Sequence, residues 1–254
     1  MIRTHVDLFS GIGGFALAAR WAGVETIAFA EIDPYASRVL ERHFPGVRNY
    51  GDVRNTPAIA GTWLLTGGSP CRDTSIAGQR KGKSGDRYLW PQMAAAIERF
   101  RPAWVVHEDV TNVTRMVLHE WHADLEMLGY QARSFDISAA CIGLSTLERH
   151  IWTVAAIAGV GLEGNMPKGI QGFAALGPQE CIGRASDNGA PFRLRESSTF
   201  EPKLLRTVKG VSARVDRVRC LGNAIPPPVA YQLIKRMIEA EEAWTAIATT
   251  QLSK

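Results

Sequence analysis

Two side chains in this sequence have the type and setting for covalent chemistry. The first is Cys71, in Gly67-Gly68-Ser69-Pro70-Cys71. It follows a short apolar run, Thr62-Trp63-Leu64-Leu65-Thr66, that reads as a buried strand. Two glycines let the backbone leave that strand in a conformation that other residues resist. Pro70 then fixes one dihedral angle just ahead of the thiol. The thiolate is the nucleophilic form of cysteine, and a neighbouring cation such as Arg72 lowers its pKa. The residues beyond, 73–83, are polar, basic and contain two glycines. The second side chain is Glu108, which closes the strand-like run Ala103-Trp104-Val105-Val106-His107. Open α/β sheets carry their active sites at the carboxyl ends of parallel strands, where both residues are expected. Cys71 taken alone reads equally as a packing thiol, because lone cysteines are commonly small buried hydrophobes.

The elements that would position these residues follow a regular alternation. Val6-Asp7-Leu8-Phe9 closes a first strand, Ser10-Gly11-Ile12-Gly13-Gly14 is a glycine turn, and residues 15–22 have a helical packing face of Ala and Leu. Strand, glycine turn and helix leave backbone N–H groups free at a helix N-terminus, a start suited to a nucleotide. The third glycine of the dinucleotide fingerprint is missing, so a tight turn alone remains an alternative. A second strand, Thr26-Ile27-Ala28-Phe29-Ala30, ends at Glu31, twenty positions after Gly11. That is where a Rossmann-like fold sets a carboxylate on a ribose hydroxyl.

Pro34 opens the next helix, which runs to about His43 and stops at Pro45-Gly46. Asn49-Tyr50-Gly51-Asp52-Val53 reads as a third strand end. Leu89, Met93, Ile97 and Phe100 have helical spacing, as do Val117, Trp121, Leu125 and Leu128. Residues 132–137 and 149–156 read as the last strands. From about residue 159 to 206 the periodicity fades and Gly, Pro, Ser and Asn become frequent, as in a small irregular lobe. A final helix is expected over residues 229–248.

Composition narrows the class. The chain has 254 residues, 46% hydrophobic and 21% charged, ordinary for a globular protein with a sizeable core. No apolar run approaches a membrane span, and the first residues enter a strand pattern directly, so neither a membrane partner nor a signal peptide is expected. Cys71, Cys141, Cys181 and Cys220 have no metal-ligand spacing, which argues against zinc and for a reducing, cytoplasmic setting. The net charge is +4, and all of it falls in residues 155–219, with ten Lys/Arg against six Asp/Glu. A basic segment on a neutral body suits a polyanion such as nucleic acid, although a solvated surface explains so small a charge nearly as well.

These stretches together resemble the DNA cytosine-5 methyltransferase family. Asp7 to Gly14 resembles its first cofactor motif, Glu31-Ile32-Asp33-Pro34 its second and Gly51-Asp52-Val53 its third. Gly68-Ser69-Pro70-Cys71 resembles its Pro-Cys motif, Glu108-Asp109-Val110 its Glu-Asn-Val motif, and Gly222-Asn223-Ala224-Ile225-Pro226 its last. The similarity covers residues 4–157 and about 207–235, in family order. It implies a Rossmann-like, S-adenosylmethionine-dependent α/β fold with a mostly parallel sheet. It also implies a catalytic and cofactor domain of residues 1–157 and 207–254, with a target-recognition lobe of 158–206.

The implied substrate is double-stranded DNA, the implied cofactor is S-adenosylmethionine, and the protein is expected to act as a monomer in a prokaryotic or viral setting. Cys71 would add to C6 of a flipped-out cytosine, activating C5, and Glu108 would assist at N3. Phe9, Ser10, Gly11, Ile12, Gly14, Glu31, Ile32, Asp52, Val53, Pro70, Leu89, Asn223 and Ala224 would form the cofactor pocket. Glu31 would meet the ribose and Asp52 the adenine amino group. For Phe9, Val53 and Leu89, core packing is as good a reading.

The sequence departs from the family at its Gln-x-Arg-x-Arg motif, where one arginine contacts the cytosine. Here Thr146-Leu147-Glu148-Arg149-His150 precedes Ile151-Trp152. Arg149 is expected to take the arginine's role by a small register change, with His150 as the other candidate. A tRNA cytosine methyltransferase, a nucleic-acid-binding homologue without catalysis and an NAD-dependent oxidoreductase are the competing functions. The last explains neither Pro70-Cys71 nor Gly222-Asn223. His5, His43, His119 and His122 are expected to be surface or packing residues, and Trp21, Trp63 and Trp121 core residues.

Overall fold

The computed structural model describes residues 2–68, 88–110, 115–142, 149–157 and 214–252. Cys71, Pro70 and the basic stretch 72–87 lie outside them, as do Thr146, Glu148 and the whole of 158–206. Among the described residues, seven strands form one sheet in the order β3-β2-β1-β4-β5-β7-β6. They are β1 (Thr4–Leu8), β2 (Glu25–Ala30), β3 (Arg48–Asn49), β4 (Leu64–Gly68), β5 (Trp104–Val110), β6 (Tyr130–Ser138) and β7 (Arg149–Ile157). The pairings from β3 to β5 are parallel, and β7 runs antiparallel to both of its neighbours. The order reverses at β1 and β4, so their carboxyl ends open a crevice at the switch point.

Helices cover both faces: α1 (Gly14–Trp21), α2 (Pro34–His43), α3 (Trp90–Phe100), α4 (Arg115–Met127), α5 (Arg214–Gly222) and α6 (Pro227–Leu252). On one side α1 and α6 pack with Phe15, Val106, Trp152, Leu233 and Met237. On the other, α3 and α4 pack with Leu65, Trp90, Met93, Trp121 and Leu125. Parallel strands buried on both faces need continuous apolar runs, which is why Leu64-Leu65 and Trp104-Val105-Val106 do not alternate. Trp90, Trp104, Trp121 and Trp152 are each at most 1% exposed. Burying an indole removes about 150–250 Å² from water, on the order of 4–6 kcal/mol per residue at about 25 cal/mol/Å².

Several boundaries differ from expectation, each for a physical reason. The strand expected at 62–66 runs from Leu64 to Gly68, because Gly67 and Gly68 pair with His107 and Glu108 instead of turning away. β5 continues past Glu108 to Val110, since β7 pairs with it along its whole length. The third strand is only Arg48–Asn49, because Gly51 takes φ +73° and Asp52 caps a 3-10 turn at Val53–Asn55. α5 falls where no helix was expected, and α6 begins at Pro227, its ring tolerated in a first turn. Trp21 is 36% exposed rather than core, its ring edge-on to Tyr231. His5 is bonded to the half-buried Thr26 and the buried Thr66, and His122 pairs with Ser134.

Candidate functional site

The crevice is built from the ends of β1, β2, β4 and β5. At β1 the chain turns through Phe9, whose φ of 52° is a left-handed value that costs a bulky residue of order 1 kcal/mol. Gly11 and Gly13 follow with φ of +54° and +86°. A Cβ on Gly13 would stand 2.9 Å from Leu40 and Phe44, so the turn lies flat on α2. A Cβ on Gly11 would meet nothing within 4 Å, leaving open space above the turn. Ser10 is buried and donates its hydroxyl to the Asp7 carbonyl, while Ile12 is half-buried.

Glu31 at the end of β2 is fixed by this turn. Its Oε2 accepts from the Gly11 N–H at 2.7 Å and its Oε1 from the Asp33 N–H at 2.7 Å. Each oxygen keeps a lone pair for a further donor. The neighbouring Ile32 is 74% exposed, an apolar side chain presented beside the carboxylate. Asp33 caps α2 through the Tyr35 and Ala36 N–H groups. Burial alone would raise the Asp33 pKa, but the Ala36 amide and the Arg219 guanidinium outweigh it and lower it. Asp52 is held by Arg54, whose guanidinium bonds both carboxylate oxygens and lowers its pKa to about 2. Val53 is 7% exposed and packs in the core, and Leu89 is half-buried at the N-terminus of α3.

The C-terminal segment completes the crevice from the other side. Ile225 is 8% exposed, and its Cγ1 would lie 2.8 Å from a Cβ on Gly14. The same side chain would stand 3.5 Å from a Cβ on Gly68, so one residue bridges the glycine turn and β4. Arg219 Nη2 reaches Asp33 Oδ2 at 2.6 Å and ties α5 to the start of α2. Asn223 is exposed and Ala224 half-buried, both just ahead of Ile225.

Glu108 lies beside Gly68, its register partner on β4, and is 6% exposed. A Cβ on Gly68 would be 2.9 Å from Glu108 Oε2. His150 Nδ1 shares a hydrogen bond with Glu108 Oε1. The two strands pair Val110 with His150 and Glu108 with Trp152, so the carboxylate and the imidazole share a face. Arg149 is one residue away and therefore on the opposite face. Its guanidinium bonds Asp136 at 3.0 and 2.8 Å, and its side chain is 52% exposed. The structure thus brings Glu108, Gly68 and His150 together and leaves Arg149 apart. Gly68 and Ile225 lay within the motifs read from the sequence and His150 was the alternative to Arg149, whereas no motif marked Arg219; the alternation of faces along β7 is the signal that distinguishes His150 from Arg149.

Solved structures share this architecture. A Spodoptera frugiperda DNMT2 variant aligns at TM-score 0.61 and 15% identity, over 93% of this chain and 99% of that one. A DNA modification methyltransferase encoded within an E. coli prophage aligns at TM-score 0.54 and 18% identity, over 64% of this chain and 49% of that one. The likeness is one of fold, a mostly parallel α/β sheet with helices on both faces. The family described as C-5 cytosine-specific DNA methylase matches residues 3–147, and the chain belongs to that family.

Curated relatives agree. Type II methyltransferase M2.BsuMI of Bacillus subtilis is 32% identical over 60% of this chain and 41% of its own length. Type II methyltransferase M.HhaI of Haemophilus parahaemolyticus is 36% identical over 42% of this chain and 33% of its own. Orphan methyltransferase M.SPRI of Bacillus phage SPR is 38% identical over 41% and 26%. The chain therefore spans well under half of the length of these relatives. No helix among the described residues is long and apolar enough to cross a membrane.

Proposed function

We propose that the protein transfers a methyl group from S-adenosylmethionine to C5 of a flipped-out cytosine in double-stranded DNA. The observation that carries this reading is the pairing of Gly68 with Glu108, which starts the short segment leading to Cys71 beside a buried carboxyl. The match to a DNA methylase family supports DNA over tRNA as substrate.

The crevice fits the cofactor on its own geometry. The open space above Gly11 and the Glu31 carboxylate, anchored but with lone pairs to spare, suit a ribose. Asp52 would take the adenine amino group, Ile32 and Phe9 would flank the base, and Ser10, Ile12 and Gly14 would line the turn. Val53, Leu89 and Pro70 would close the pocket wall, with Asn223 and Ala224 opposite. S-adenosylmethionine supplies an electrophilic methyl group when bound.

Cytosine C5 is too poor a nucleophile to take that methyl unaided. Cys71 would form a bond to C6, and the displaced electrons would move through the ring to N3. Glu108 would give N3 a proton as that charge develops, which lowers the barrier to addition. Residues 158–206 would form the target-recognition lobe and the rest of the chain the catalytic domain. The test is transfer of a labelled methyl group to duplex DNA and, in parallel, to tRNA. Label appearing in DNA, at cytosine C5, is the expected result; label in tRNA alone would overturn the choice of substrate.

A further inference from the structure

Of the two candidates for the arginine's role, Arg149 and His150, the structure sets His150 against Glu108 and turns Arg149 to Asp136. We propose that His150 is the positioning residue of Glu108: its Nδ1–H holds Oε1 and so sets the carboxyl's rotamer, leaving Oε2 to carry the proton that Glu108 delivers to the cytosine ring. This rests on the function proposed above and deepens it.

Three observations converge on one carboxyl group. Glu108 sits inside β5 with its side chain 9% exposed, so it has little water to hold it in place. His150, 17% exposed, reaches its Oε1 from β7. The absence of a side chain at Gly68 leaves room for Oε2, at 2.9 Å from where a Cβ would be. One oxygen is therefore held by the imidazole, and the other faces the end of β4, from which the chain runs to Cys71. Arg149 cannot share this task, because its guanidinium is on the far face with Asp136.

The choice of an imidazole has a chemical consequence. A guanidinium is always charged and would hold Glu108 as the carboxylate. An imidazole donates from Nδ1 in one protonation state and accepts there in another. A neutral imidazole that donates from Nδ1 to Oε1 lets Glu108 carry its own proton on Oε2, and that uncharged pair is less costly to bury than a lone carboxylate. When the sulfur of Cys71 bonds to C6, electrons shift from the C5–C6 double bond through C4 to N3, and N3 takes the proton from Glu108. The carboxylate left behind is met by the His150 ring. When the carbon–sulfur bond later breaks, N3 returns the proton to Glu108.

The experiment compares wild type with His150→Ala, His150→Leu and His150→Asn, whose amide nitrogen can stand where Nδ1 stands. Methyl transfer to duplex DNA, S-adenosylmethionine affinity and thermal unfolding are measured for each. The expected result is a loss of about 100-fold in kcat for His150→Ala and His150→Leu, the low end of what general acid–base groups supply. KM for DNA and cofactor affinity stay within about threefold, and His150→Asn recovers about tenfold of the loss. His150→Leu keeps the packing volume, so it serves if His150→Ala fails to fold. Wild-type-like kcat in either apolar variant, a loss confined to KM, or no recovery in His150→Asn would overturn the proposal alone. Wild type that methylates no nucleic acid would overturn the underlying function, and this proposal with it.

Discussion

Gly68 and Glu108 are register partners on adjacent strands, and a Cβ on Gly68 would stand 2.9 Å from Glu108 Oε2. The missing side chain is what lets a buried carboxyl point toward the end of β4. Gly68→Ala should therefore act on catalysis more than on stability. The atom in the way is the end of a flexible side chain, so the fold can yield at a cost below about 1 kcal/mol, less than usual overpacking. The carboxyl, however, must leave its place beside His150. We expect kcat to fall at least about tenfold, as a displaced acid loses its geometry, with little change in Tm. An active enzyme with Glu108 unmoved would contradict this.

Gly14→Ala has the opposite character. Its Cβ would meet Ile225 Cγ1 at 2.8 Å and the Ile225 carbonyl oxygen at 3.3 Å, and backbone cannot swing aside. Overpacking of this kind costs about 1–3 kcal/mol. Denaturant unfolding should show that loss, accompanied by weaker S-adenosylmethionine binding because the C-terminal segment is pushed off the glycine turn. Unchanged stability would show that Ile225 does not fasten this segment.

Glu31 links the glycine turn to the start of α2 through its two backbone bonds. Glu31→Ala removes both anchors together with the proposed ribose contact. Calorimetry should report S-adenosylmethionine affinity lower by about 1–3 kcal/mol, the cost of leaving polar groups unpaired. Tight NAD binding in its place would overturn the cofactor assignment.

Two buried histidines set an acid limit on stability. His5 and His107 are both fully buried, and burial lowers their pKa values from 6.5 to about 3 and about 4. A folded-state pKa below the unfolded one means that the unfolded chain binds more protons in between. Their contribution is complete above about pH 6.5 and is lost as pH falls toward 4 for His107 and 3 for His5. A tenfold difference in proton affinity corresponds to about 1.4 kcal/mol, so the loss attached to His107 is on the order of 3 kcal/mol. His107 packs against the rings of Trp90 and Trp121, so an apolar ring can take its place. Denaturation midpoints of His107→Phe should fall less steeply between pH 6.5 and 4 than those of wild type. An equal slope would place the acid sensitivity elsewhere.

Most of the fold was legible because apolar runs and glycine punctuation report directly on buried parallel strands. The run Val6 to Phe9, the glycines after it and Glu31 twenty positions on are local signals, and the structure joins them by one hydrogen bond between Gly11 and Glu31. What was not legible depended on partners distant in sequence. Gly67 and Gly68 read as a turn because their pairing with β5 is nonlocal. β5 outran its expected end at Glu108 because β7 supplies partners far along the chain, Ile151 for Asp109 and His150 for Val110. The choice between Arg149 and His150 needed the face of β7, and a shift of one residue exchanges the two faces of a strand. The roles given to Cys71, Pro70 and the residues 158–206 lie outside the described residues, and there the sequence alone supports them.

The covalent role of Cys71 is tested most directly by trapping. Duplex DNA containing 5-fluorocytosine accepts the thiolate at C6 and the methyl group at C5, but fluorine cannot leave as the proton does, so the adduct persists. The expected product is a denaturation-resistant complex of protein and DNA, formed only with S-adenosylmethionine present, whose mass places the nucleotide on Cys71 and which Cys71→Ser does not form. A complex that Cys71→Ser forms as readily, or a crosslink at another residue, would contradict the covalent role of Cys71.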